Sequence, residues 1–223
     1  MLYALGDPLS LVLLLLSFLV AVTLHGWVQS LVARRHGDRT VVAERRTGPD
    51  PRRQLDPFGA VAAAIAGYGW AKPVDPPDRR RRGPMVTVLL SGALANLAVG
   101  LGGLAAYGVV HGPLGSGSVS QVLQYGAGID LASRALLLLS LANLLTGLLS
   151  LVPIPPLDGG RLLFGLAPRT QGWQKAEYQL DERNIGVAVL LALLLIPLGG
   201  PQALLPTLLD TVAGPLVRLV TGG

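Results

Sequence analysis

The 223-residue chain contains no cysteine. That excludes disulfides, thiolate nucleophiles and Cys-ligated zinc. Histidine and glutamate are nearly as scarce: His25, His36 and His111, with Glu44, Glu177 and Glu182, are the complete set. Any metal or acid-base chemistry therefore draws on very few groups. Charged residues make up only 14% of the chain against 51% hydrophobic, which lies outside the ordinary range of soluble domains. Aromatic residues are 5%, and no aromatic-interleaved basic motif accompanies the net charge of +5. Nucleic acid is thereby disfavoured as a partner.

What the chain does have is a series of apolar segments, each long enough to cross a bilayer as a helix of about 20 residues, where a lipid-facing barrel would show alternating stretches of about 10. The expected fold is an all-α polytopic membrane protein forming a single domain over residues 1–223. Asp7-Pro8 suits a helix cap followed by proline at the first helical position, and opens a first span over about 8–33. Further spans are expected over about 84–110, 131–154 and 185–198. A last segment, 203–220, is interrupted by Pro206, Gly214 and Pro215 and reads equally as a span or an interfacial helix. The apolar stretch within 57–71 is too short to cross unaided and reads as re-entrant or interfacial. Short β-strands are expected near Thr40 to Glu44.

The loops 34–56 and 72–82 carry twelve of the eighteen Lys and Arg residues, and 159–183 carries four more. The positive-inside rule places all three on the cytoplasmic side, with the N-terminus outside the cytoplasm, in a multi-pass protein of the plasma membrane. Arg79 to Arg82 and the other Arg-rich stretches are expected to contact anionic lipid.

Three polar residues fall where lipid would not tolerate them: His25 and Gln29 in the first span, and Asp158 after Pro153, Pro155 and Pro156. Such residues are functional candidates by default. His25 and Gln29, four apart, share one helix face. Asp158 sits in proline-broken backbone, which membrane depth permits only beside protein or a wet cavity. His25 precedes Arg34 by nine residues, about 13 Å of helix, so water from the cytoplasm is within reach.

In these pieces the chain resembles the site-2 proteases, intramembrane zinc metalloproteases. The resemblance runs from about Ala21 to Phe164. It comprises HGWVQSLVARRHGD (His25 to Asp38) where the family has HExxHAxxAxxxGD, LDPFG (Leu55 to Gly59), GWAKPV (Gly69 to Val74), SGALAN (Ser91 to Asn96) for GPxxN, and PIPPLDGGR (Pro153 to Arg161). It implies that His25 and Asp158 occupy metal-ligand positions, Gln29 the second His position, and Gly26 that of the general-base Glu. It also implies that Trp70 borders the substrate cleft, along with Asn96 and Asn143, although the two asparagines read equally well as helix-packing groups. Ala93 for the Pro of GPxxN, Gln54 for a His and Ser150 for an Asn are further departures.

The consequence is chemical. An amide oxygen is a poor match for zinc, and loss of a general base alone costs about 10²- to 10⁴-fold. His36, about 16 Å along the helix from His25, is too far to substitute, so only a loop residue such as Asp56 folding back would rescue the site. The expected cofactor is therefore none, or weakly bound zinc, and no catalytic residue set is intact. The leading expectation is a pseudoprotease that binds or regulates membrane-protein segments. The alternatives are an active metalloprotease with an altered metal site, and an ion or proton conduit.

Overall fold

The computed structural model describes residues 7–75, 81–114, 130–197 and 203–222. Among these the protein is helical with no strand longer than an isolated bridge, an all-α polytopic membrane protein. Four helices are long and apolar enough to cross a bilayer: α1 (Pro8–Arg35), α5 (Arg82–His111), α6 (Leu131–Ser150) and α10 (Leu204–Thr221). The shorter elements are α2 (Thr40–Ala43), α3 (Pro51–Gln54), α4 (Pro57–Ala66), α7 (Asp158–Leu166), α8 (Gln171–Glu177), a π turn (Tyr178–Glu182) and α9 (Ile185–Leu195).

A repeated dipeptide starts the helices. Asp7-Pro8, Asp50-Pro51 and Asp56-Pro57 each place Asp at the cap and Pro at the first helical position. Their carboxylates accept the amides of Ser10 at 3.2 Å, Arg52 at 3.1 Å and Gly59 at 2.8 Å, satisfying backbone donors that a helix start leaves unpaired. Asp130 caps α6 in the same way through the amides of Ala132 and Ser133. Gly67, at φ 86°, ends α4 in the left-handed region that glycine enters without steric cost.

α5 is central, packing against α1, α6, α7 and α10. Close approach to α6 depends on Gly100, where a Cβ would stand 2.6 Å from the Leu144 amide nitrogen. Leu104, Leu137, Leu138, Leu141 and Leu144 fill the seam, each almost fully buried. The outer face of α1 instead exposes Leu9, Val12, Leu15, Leu16 and Val20, a stripe suited to hydrocarbon rather than water.

The helix ends sort by charge. Asp7 pairs with Arg134 and His111 hydrogen-bonds Ser133, so the start of α1, the end of α5 and the start of α6 share one end. The basic loops after α1 and before α5 lie at the other. Three expectations give way. Thr40 to Glu44 is a helical turn, because the buried Asp38 carboxylate accepts both the amide and the hydroxyl of Thr40 and bends a β-branched run into α2. The 185–198 segment forms only the 11-residue α9, about 16 Å long and too short to cross. The helix expected over 131–154 stops at Ser150, ahead of the prolines.

Candidate functional site

His25, Gly26 and Gln29 lie on the buried face of α1, and Asp158 is the first residue of α7. His25 Nε2 and Asp158 Oδ2 are 2.7 Å apart, with both side chains almost withdrawn from solvent. Each supplies the other's polar partner across 133 residues of sequence. Gln29 donates from Nε2 to the Leu89 carbonyl of α5 at 3.3 Å. Gly92, one turn further along α5, lets the helices close on this site: a Cβ there would be 2.6 Å from His25 Nε2. Among the residues at this site, three buried side-chain atoms have no partner: His25 Nδ1, Gln29 Oε1 and Trp70 Nε1.

His25, Gln29 and Asp158 line one small cavity with Trp70, Thr146 and Ser150. The space is small, with room for about one water. The three residues singled out in the first span and after the prolines therefore do meet, and Trp70 meets them. Asn96 and Asn143 do not line this cavity. Asn96 donates to the Ala21 carbonyl of α1 at 3.0 Å, and Asn143 to the Leu139 carbonyl of its own helix at 2.8 Å. His36 is exposed at the end of α1, and Asp56 caps α4, so neither reaches the site.

The side of the cavity facing the first loop holds Arg46, which sequence reasoning passed over, and Gln54, noted there only as standing for a His. Gln54 is fully buried beside Gly26, and a Cβ at Gly26 would overlap Gln54 Oε1. That oxygen accepts from Arg46 Nε at 3.3 Å and Nη2 at 3.1 Å, while Gln54 Nε2 donates to the Arg46 carbonyl at 2.7 Å. Arg46 also donates to the carbonyls of Lys72 at 2.7 Å and Pro73 at 2.8 Å. Burial lowers the Arg46 guanidinium from its ordinary pKa, and Glu44 and Asp75 oppose the shift. Among seven arginines in one loop nothing marked this one. The available signal was complementarity between a residue without a side chain at 26 and a long amide at 54.

Residues 69–75 form a strap across the cavity. The Lys72 amide donates to the Gln54 carbonyl at 2.7 Å, and Leu55 and Ala71 form a bridge. From the other side, Arg161 of α7 donates to the Val74 carbonyl at 3.1 Å and pairs with Asp75.

Comparison with known proteins now bears on this arrangement. The chain is 31% identical over 199 residues to "Putative zinc metalloprotease YwhC" of Bacillus subtilis (strain 168), covering 86% of this chain and 84% of that protein. This chain belongs to the site-2-protease-like family. No family model matches it, and no solved structure matches it significantly.

The metal implied by that family can be tested against the donors present. His25 and Asp158 are suitable ligands, but the third position is the Gln29 amide, and among the described residues no three His, Cys, Asp or Glu side chains cluster. A catalytic zinc site takes three protein ligands of imidazole, carboxylate or thiolate type. The unpartnered Gln29 Oε1 could turn to a cation, yet amide oxygen suits harder ions than zinc. No side chain at position 26 can accept a proton. The donor set does not fit a catalytic zinc centre.

Proposed function

We propose that this chain is a catalytically silent member of its family, one that retains the cleft to bind transmembrane segments of other membrane proteins and so sequesters or regulates them. The observation that carries this reading is the His25–Asp158 pair standing beside Gly26, with the Gln54 amide in the space a catalytic side chain would need. A single imidazole and a single carboxylate remain, hydrogen-bonded to one another. Zinc is held weakly or not at all.

The binding half of the proposal draws support from α4 and the strap. Phe58, Val61 and Ile65 expose an apolar face on α4, continuous in sequence with Trp70, the residue that borders the cavity. A helix of a partner protein offers the matching chemistry. The basic loops face the cytoplasm from the plasma membrane in this reading, and their arginines contact anionic lipid.

A second reading, proteolysis with an altered metal site, is favoured by the name of the Bacillus relative and by the free oxygen of Gln29. One set of experiments separates the two. Photo-crosslinkers at Val61, Ile65 and Lys72 are expected to capture membrane-protein partners in cells, and the purified protein is expected to leave a transmembrane substrate uncut with or without chelator. Chelator-sensitive cleavage that disappears in His25→Ala would establish the second reading. Failure of all three positions to capture a membrane protein would remove the first.

A further inference from the structure

Position 26 is occupied by its surroundings rather than left open. The amide of Gln54 lies against the Cα of Gly26, and its oxygen is fixed there by two hydrogen bonds from Arg46. The same guanidinium reaches on to the carbonyls of Lys72 and Pro73. Gln54 itself holds the Lys72 amide through its own backbone carbonyl. The Gln54 side chain therefore fills the gap in α1, while the Arg46 side chain and the Gln54 backbone fasten the strap that carries Trp70, Ala71 and Pro73 over the cavity. Arg46 and Gln54 are only 3% and 0% exposed, and every polar atom of the Gln54 side chain has a partner.

We infer that Arg46 and Gln54 are a latch built around Gly26: they position the 69–75 strap, close the cavity at His25 and Asp158 to solvent from the loop side, and disfavour any side chain at position 26 while Gln54 stays in place. This takes the site as catalytically silent and says how that state is locked. Because the latch occupies the volume, a carboxylate brought in by Gly26→Glu would collide with Gln54. If it displaced Gln54, it would meet the Arg46 guanidinium and become its ion-pair partner rather than a free base. The missing residue and its replacement are thus one coupled unit, in which neither half changes alone without cost.

The coupling is measurable through stability in detergent and through access to the cavity. Gly26→Ala is expected to lower Tm by several degrees, and Gln54→Ala in the same chain is expected to recover much of that loss, because the overlapping amide is gone. The absence of native cysteine makes access easy to read. Ser150→Cys places a thiol on the cavity wall. A membrane-impermeant maleimide is expected to label it at least about tenfold faster when Gln54→Ala or Arg46→Met is added. If Gly26→Ala matches the unmodified protein in Tm, or its loss simply adds to that of Gln54→Ala, the latch is wrong. Equal labelling rates with and without Gln54 would overturn it too, and serve as the test if Gly26→Ala fails to accumulate. Neither readout depends on catalysis, so cleavage by the unmodified protein would overturn the silent-enzyme reading while leaving these outcomes to decide the latch.

Discussion

The two ends of the helical bundle use arginine in opposite ways. At the basic end Arg46 is withdrawn from water and bonded to two backbone carbonyls and the Gln54 amide. At the far end Arg134, itself 16% exposed, meets the half-exposed carboxylate of Asp7, and the neighbouring His111–Ser133 contact is open to solvent. Where buried carbonyls depend on a guanidinium, its loss leaves acceptors unpaired. An ion pair to a half-exposed carboxylate is worth less, because solvent screens it.

The sharpest way to break this contrast is to remove the buried guanidinium. Arg46→Met should cost about 3–5 kcal/mol, since the strap carbonyls and Gln54 Oε1 lose their donor together; denaturation in detergent measures it, and an effect near zero would abolish the contrast. His25→Ala comes next, at about 2–4 kcal/mol, because the Asp158 carboxylate is left buried without a partner. Asp158→Ala in the same chain should then cost little more, as read by a double-mutant cycle. In the helix seam, Gly100→Ala should cost about 1–3 kcal/mol by forcing α5 off α6. Gly102→Ala, with nothing within 4 Å of the added carbon, should be neutral or gain up to about 1 kcal/mol. Thermal shifts of the pair check both signs.

The smallest effect belongs to the far end. Hydrogen bonds from the Ser10 amide, then Arg134, hold the Asp7 carboxyl below the usual carboxylate range. The Ser133 side chain and amide do the same for Asp130. A group whose folded pKa is depressed adds stability above its unfolded pKa and loses it as pH falls through the folded value. Stability should therefore not respond to these caps from pH 7 down to about pH 5, and should fall slightly below about pH 4. Asp7→Asn should flatten that slope in a pH series of melting curves. A slope of opposite sign would show that the caps are mis-assigned.

Much of this could be read from the chain itself. Long apolar runs announced α1, α5 and α6, and Asp7-Pro8 the start of α1, because length and capping are local properties. The convergence of His25, Gln29 and Asp158 was legible because lipid leaves intramembrane polar groups few alternatives to one another. Thr40 to Glu44 misled because β-branching is a weak preference, overruled by one buried Asp38 carboxylate that bends the chain. The 185–198 segment misled because its apolar run was given more weight than Pro197, ahead of which helix α9 ends at Leu195. Asn96 and Asn143 are polar and buried like the site residues, but their amide nitrogens donate to carbonyls of α1 and α6 and neither lines the cavity. Arg46 was hidden by company: a loop of seven arginines reads as a topological anchor, and only tertiary structure separates the one that turns inward. Gln54 was legible as a departure from a family His, but its place against Gly26 was not.

The central claim is that one imidazole, one carboxylate and an amide cannot form a zinc centre that activates water. Elemental analysis of the purified full-length chain, with His25→Ala alongside, tests it most directly. Zinc well below one equivalent per chain, unchanged by the substitution, is the expected result. Stoichiometric zinc that is lost with His25 would contradict it.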